Sequence, residues 1–440
     1  MSRIVVIGAG VAGLAAAREL HRRGHSVMVL EARNRIGGRI LTRHARVSTA
    51  PIELGAEFIH GDAPETMRIL RAARLQVVPT GGSIWVARGG RLRPESLGAS
   101  LDRVFRLIYS DAPDESFAQF LARRPGGRAL AKARAAAAAF VRGFHAADLD
   151  RIGTRSLAPV RGHLAGGAAM TANVLAGDQD AIPHWLACGL ESVIRTQAVV
   201  SEIAWKRHHV DIRIRHGARG AVRRVSARAV VITVPIGVLQ APAELRGGIA
   251  FRPEPPGVRN AVDRLAMGSV TRVVFAFDEL PWSKLAPRRH GEGPAEVGFV
   301  RIPDSDFSVW WSRIASRGPL AVAWSGGPAA AAQARRRSSE VIATALRQLA
   351  RGVGVPRPRL EALVRGAWHH DWQHDPFSRG AYSYPQVGGA NAGRALARPV
   401  EGTLFFAGEA TAEAWGTVEG ALASGMRAAR QVDAALPPSR

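Results

Sequence analysis

The six residues Gly8-Ala9-Gly10-Val11-Ala12-Gly13 constrain this chain more than any other stretch. They follow Ile4 to Ile7, an apolar run that reads as a buried strand, and they lead into Leu14 to Arg22, which reads as a helix ended by Gly24. His25 to Leu30 reads as a second strand, closed by Glu31. Strand, GxGxxG, helix, strand and acid, in that order, predict a dinucleotide site. Each piece has a reason. Gly8 permits the tight turn, Gly10 lets backbone approach a pyrophosphate, and Gly13 lets helix and strand pack closely. The helix N-terminus offers free N–H groups and a partial positive charge to phosphates. Glu31 accepts hydrogen bonds from ribose hydroxyls and would repel a 2′-phosphate.

Just past Glu31 comes Arg35-Ile36-Gly37-Gly38-Arg39. A glycine pair followed by arginine can wrap a second phosphate loop around the cofactor. This extension is similar to the fingerprint of FAD proteins of the amine oxidase and glutathione reductase superfamily, so FAD rather than NAD is expected.

At roughly 150 residues per domain, 440 residues predict two to three domains. Hydrophobic residues at 47 % and charged residues at 22 % are ordinary globular values and exclude wholesale disorder. A single cysteine, Cys188, excludes a disulfide framework, a multi-cysteine zinc site and a CxxC redox pair, and it reads as a buried, inert thiol. The net charge of +24 would ordinarily suggest nucleic acid. Yet only Lys132, Lys206 and Lys284 are lysine; the other basic residues are scattered arginines, as a GC-rich coding sequence would give. A solvated basic surface and no nucleic-acid partner are therefore expected. The N-terminal apolar run flows into the glycine loop instead of a cleavage site, and no apolar stretch of about 20 residues occurs. The expectation is a cytoplasmic protein without a membrane anchor. A homodimer is one admissible assembly.

Further along, Val199 to Trp205 and Val210 to Arg215 alternate like antiparallel strands, and Ala229 to Pro235 reads as a buried strand. Leu404 to Phe406 is a strand that ends at Gly408-Glu409, and Glu419 to Ala434 is a small-residue helix able to lie close to a cofactor. Ala129 to Val141 and Ser338 to Leu349 read as helices. Stretches near 241–257 and 286–294 read as loops.

Together these segments resemble the flavin-dependent amine oxidases: monoamine oxidases, polyamine oxidases and flavin-type histone lysine demethylases. The matching pieces are the N-terminal fingerprint, Glu53 to Gly61, Thr233 to Leu239, Trp372 with Asp375 to Tyr384, and Phe405 to Thr411. The resemblance implies an α/β fold: a Rossmann-like FAD-binding domain of glutathione reductase type with an inserted α+β substrate-binding domain. The implied boundaries are 1–80, 190–265 and 366–440 for the FAD domain and 81–189 and 266–365 for the substrate domain. It implies that Val200 holds the adenine side, that Glu409 binds the ribityl chain, and that Thr417-Val418-Glu419 opens a helix facing the flavin's pyrimidine end. Ala32, Arg33, Gly55, Ala56, Glu57, Thr233, Pro235 and Gly408 join the implied cofactor set. Tyr382 matches an aromatic wall beside the flavin ring, and Trp372 the tryptophan packed at it. Monoamine oxidases carry a flavin-bonding cysteine just before that tyrosine. Here it is Ala381, so non-covalent FAD is expected.

Three departures matter. The family usually has a lysine, holding a water at flavin N5, where this chain has Arg272. Arginine there either orients a water or turns outward and leaves the role empty; a solvent-facing strand residue is the plainer reading. The second wall of the family's aromatic cage falls in Ala414-Trp415-Gly416-Thr417, one residue shorter than usual, so either Trp415 supplies the wall or small Thr417 leaves the cage one-sided. His60 sits where polyamine oxidases carry a group near the substrate, with Glu57 and Asp62 as local acids that offset the basic surface.

The implied activity is oxidation of a primary or secondary amine by hydride transfer to flavin, with molecular oxygen or another electron acceptor. A polyamine is open, and a hydrophobic monoamine fits the positive charge better. Competing readings are a flavin dehydrogenase with a non-oxygen acceptor, motivated by Arg272, an amino-acid oxidase, and a redox-silent flavoprotein that binds partners.

Overall fold

The computed structural model describes residues 3–80, 83–109, 111–158, 172–216, 220–285, 297–312 and 318–436. Arg3–Ile7 runs through the middle of a five-stranded sheet, flanked by Ser26–Leu30 and Ala229–Ile232, with Ile194–Arg195 and Leu404–Phe406 at the edges. All four pairings are parallel. A parallel sheet is covered on both faces, which is why its strands read as unbroken apolar runs. Ile4 and Val6 face a core shared with the helices Val11–Arg22 and Val418–Ala435. Val5 and Ile7 face a second core beneath the antiparallel strands Ala198–Lys206 and His209–His216.

The first helix begins at Val11, three residues ahead of the expected Leu14. Gly10, in extended conformation, is its N-cap, so no Ser, Thr, Asp or Asn marks the start. Gly13 does what its place in the motif suggested: a Cβ there would lie 1.9 Å from the Gly8 carbonyl oxygen. The small residues of the last helix serve the same kind of approach, since a Cβ on Gly425 would lie 2.2 Å from the Ala12 carbonyl oxygen. That helix thus packs on the first helix.

A seven-stranded sheet forms the other body. Its second and third strands, Val270–Phe277 and Leu320–Gly326, pair antiparallel, and Ser83–Arg88 lies next to the last strand at the opposite edge. Val273 and Phe275 face a core under the helix Ser338–Val353. Val274, one position on, faces Leu54, Trp311 and Trp372. Alternation thus turns one face of this sheet towards the cavity described below.

Some expectations shift. The strand from Ala229 stops at Ile232, because Thr233 donates its hydroxyl to Ile7 O and Pro235 caps a short helix, Ile236–Leu239. The stretch 241–257 contains the strand Ala250–Arg252, paired parallel to Glu202–Ala204. The expected loop 286–294 lies outside the described residues. Cys188 is exposed, not buried: its helix ends at Ala187, and Gly189 turns the chain with φ +78°. Among the described residues no helix is long and apolar enough to cross a membrane.

Candidate functional site

One cavity of about 1240 Å³ runs from the glycine loop to the seven-stranded sheet. Every site residue singled out from the sequence lines it, except Gly13. Gly13 acts one layer behind, in the packing just described.

At the glycine-loop end, Gly10 and Gly38 meet backbone to backbone; a Cβ on Gly38 would lie 3.1 Å from Gly10 Cα. Val11 and Ala12, in the first turn of the helix, face the cavity. The buried Glu31 carboxylate accepts from the Ala9 and Arg33 N–H groups, both at 2.8 Å. A carboxylate has about four acceptor positions, so two remain for hydroxyl donors. These features fit the sugar and phosphates of a dinucleotide. The volume fits too: it exceeds the roughly 300–1,000 Å³ of ordinary small-molecule pockets, leaving space for a second molecule.

The middle of the cavity is held by cross-links between distant segments. Arg39 donates to Glu409 at 2.9 Å and to Ala381 O at 2.8 Å. Glu409, buried, also accepts from the Ser383 hydroxyl at 2.7 Å and from Gly416 N–H at 2.9 Å. Arg33 reaches Asp375 at 2.8 Å and Ser378 at 2.9 Å. Burial opposes ionisation of Asp375, but His370, Arg33 and the Phe377 N–H outweigh it and hold the carboxyl well below its usual range. Trp372 donates its indole N–H to Leu54 O at 2.8 Å.

Arg272 departs from the outward-turned alternative drawn from the sequence. It neither turns outward nor stands as a free cation. It is 4 % exposed, donates to Gly55 O at 2.9 Å, and pairs with Glu57 through a short contact. Trp311 also donates to Glu57, at 3.3 Å. Glu57 is therefore not a local acid available to a ligand: its charge is matched inside the wall. The solvent-facing reading of Arg272 fails because its strand is buried on both faces.

The far end is aromatic. Tyr382 donates its hydroxyl to Phe144 O at 2.7 Å, and burial, with a smaller push from Glu409, moves its phenol well above the usual range. Gly416 abuts the Tyr382 ring. Trp415 lies 5.0 Å from the His145 ring, and the Thr417 hydroxyl is engaged as the N-cap of the last helix, accepting from Gly420 N–H. Trp415 and Thr417 both line the cavity together with Tyr382. Five contacts join Trp311, Phe58, His60, Phe144, His145 and Trp415 into one continuous run of rings. Burial lowers both imidazoles to about 4, so both are neutral near pH 7. Asp62, the other acid named beside His60, is exposed at the cavity edge.

His145, Phe144, Phe58, Trp311 and Trp324 line the cavity and were missed by sequence reasoning. Phe58 lies within the Glu53 to Gly61 piece without having been singled out, and the other four belong to no motif. Only the position of Phe144-His145 at the end of the helix Ala131–Phe144 hints at a turn into a site.

A family model described as flavin-containing amine oxidoreductase matches residues 11–433. Polyamine oxidase 2 of Arabidopsis thaliana is 27 % identical over 97 % of this chain and 87 % of its own. A lysine-specific histone demethylase 1 homolog of the same plant is 28 % identical over 98 % of this chain, and lysine-specific histone demethylase 2 of Homo sapiens 26 % over 98 %. The chain spans only 30 % and 53 % of those two demethylases' lengths. Among solved structures, a putrescine oxidase bound to putrescine superposes with TM-score 0.80 at 21 % identity, covering 98 % of this chain and 99 % of that one. Cyclohexylamine oxidase from Brevibacterium oxydans does so with TM-score 0.80 at 22 % identity, covering 99 % and 100 %.

Proposed function

This chain belongs to the flavin-containing amine oxidoreductases, and from that premise we propose that it oxidises the C–N bond of a primary or secondary amine with a bulky apolar body. One observation carries the reading: a single cavity joins a dinucleotide cradle to an aromatic chamber. When bound, FAD supplies the acceptor for the hydride that leaves the amine's α-carbon. The remaining product, an imine, hydrolyses to an aldehyde and ammonia or a smaller amine.

The chain's own groups hold and orient. Gly8, Gly10 and the first turn of the helix take the pyrophosphate, Glu31 the ribose, and Val200 the adenine side. Glu409, braced by Arg39, takes the ribityl hydroxyls. Ala381 offers no nucleophile, so the cofactor is held without a covalent bond. We assign 1–80, 190–265 and 366–440 to cofactor binding and 81–189 with 266–365 to substrate binding; one strand, Val364–His369, crosses the last boundary.

Alkylamines have pKa values near that of lysine, about 10.4, and must lose a proton before the nitrogen lone pair can drive hydride loss. The walls formed by Tyr382, Phe144 and Trp415 desolvate the amine and favour the free base. A distal ammonium finds poor company inside, because Glu57 is matched by Arg272 and Glu95 by Arg301. That supports a hydrophobic monoamine over a polyamine.

The Arg272–Glu57 pair favours a second reading. No free cation stands at the position where oxidases of the family keep one, so a dehydrogenase with a non-oxygen acceptor is the alternative. Anaerobic bleaching of the flavin by monoamines, polyamines and amino acids, followed by air, tests both. Bleaching by apolar monoamines is expected. Rapid return of colour identifies an oxidase and slow return a dehydrogenase. No bleaching by any amine rejects the proposal.

A further inference from the structure

His145 lies 6 % exposed on the wall of the cavity, and no motif or charge accounts for it. Its Nε2 is buried and has no hydrogen-bond partner among the described residues. The ring plane is near-perpendicular to those of Phe140, with centroids 5.6 Å apart at 89°, and Phe144, at 5.3 Å and 88°. An N–H directed at an aromatic face is attractive, whereas a lone pair there is repelled by the ring's negative face. The surroundings therefore favour the tautomer with its proton on Nε2. Nδ1 is then the unprotonated nitrogen, on a ring that lines the cavity beside Trp415 and whose buried, unpartnered nitrogen is Nε2 alone.

We propose that His145 is a substrate-binding residue whose Nδ1 accepts a hydrogen bond from the N–H of a primary or secondary amine. The inference rests on the amine reading and extends it to the group that orients the nitrogen. With the ring held to about 4 by burial, His145 cannot take a proton from an ammonium. It acts as an acceptor and not as a base. An acceptor needs a donor, so the site discriminates by N–H count. A tertiary amine in its free-base form has no N–H to give.

Holoenzyme of wild type, H145F and H145N is mixed anaerobically with cyclohexylamine or N,N-dimethylcyclohexylamine. Binding is read from the perturbation of the flavin spectrum before any bleaching. Losing one buried hydrogen bond weakens binding about tenfold. H145F is expected to bind the primary amine about tenfold more weakly and the tertiary amine unchanged. H145N, whose side-chain oxygen falls near the place of Nδ1, restores most of the difference. Equal effects of H145F on both amines, or none on either, overturn the proposal. If H145F fails to hold flavin, histidine-selective 15N NMR of wild-type holoenzyme decides. The His145 Nδ1 signal shifts with the primary amine only, or the proposal is wrong. Discriminating binding without bleaching would keep His145 and reject amine oxidation; bleaching with an inert His145 would do the reverse.

Discussion

Arg272 is a charge the fold has taken out of water, and it is tolerable only while Glu57 stays beside it. Removing one partner of such a pair typically costs about 3–5 kcal/mol, while replacing both with apolar groups is often neutral. R272M alone is therefore expected to lower the thermal midpoint by several degrees, and R272M/E57L to recover much of the loss. A double variant no better than the single one would show that the pair is not an energetic unit. The two buried imidazoles make a separate claim. An unfolded histidine titrates near 6.5, whereas His60 and His145 are lowered to about 4. Between those values the unfolded state binds more protons, so stability is full above about pH 6.5 and falls as pH drops towards 4. At pH 5 the loss is about 2 kcal/mol per histidine. Thermal midpoints of H60F and H145F should accordingly fall less than wild type's between pH 7 and pH 5. Parallel slopes would mean the rings are hydrated in solution.

At the scale of elements, glycine contacts set how closely the first helix approaches its neighbours. G13A would drive a Cβ to 1.9 Å from the Gly8 carbonyl, and G425V would part the first and last helices at Ala12. Both variants should release flavin on gel filtration. G98A, where nothing lies within 4 Å of the added Cβ, should retain it. Loss from all three, or from none, would contradict the packing argument. These elements were legible because their signals are local: apolar runs for buried strands, and glycines at fixed offsets for the loop and the close helix. The helix start was misread because Gly10, its N-cap, brings no side-chain cap to recognise. The cross-links were invisible for another reason. Arg272 and Glu57 lie 215 positions apart, and Arg33 and Asp375 lie 342 apart. No periodicity joins such pairs; only the tertiary fold does. His145 was missed likewise, since its neighbour Trp415 comes from the other end of the chain. Cys188 reads as buried because a free cysteine is among the residue types most often buried, and here the turn at Gly189 leaves it exposed.

For the whole molecule the governing quantity is the net charge of +24. An amine in water at pH 7 arrives as a cation, so long-range repulsion acts on encounter, before the chamber can strip the proton. The Debye length shrinks from about 30 Å at 0.01 M salt to about 8 Å at 0.15 M. Screening should therefore raise kcat/KM for alkylamines several-fold over that interval, with kcat unchanged, because docked contacts lie inside the screening length. The opposing field is local. Asp62 and Glu413 are exposed and line the cavity, and they attract the same cation. They are two charges against an excess of 24, but they are nearer the path. The sign of the salt effect separates the two. A rise means the global field governs approach, and D62N/E413Q should then leave the salt slope nearly as it is. A fall means the mouth steers the substrate in, and the same double variant should abolish it.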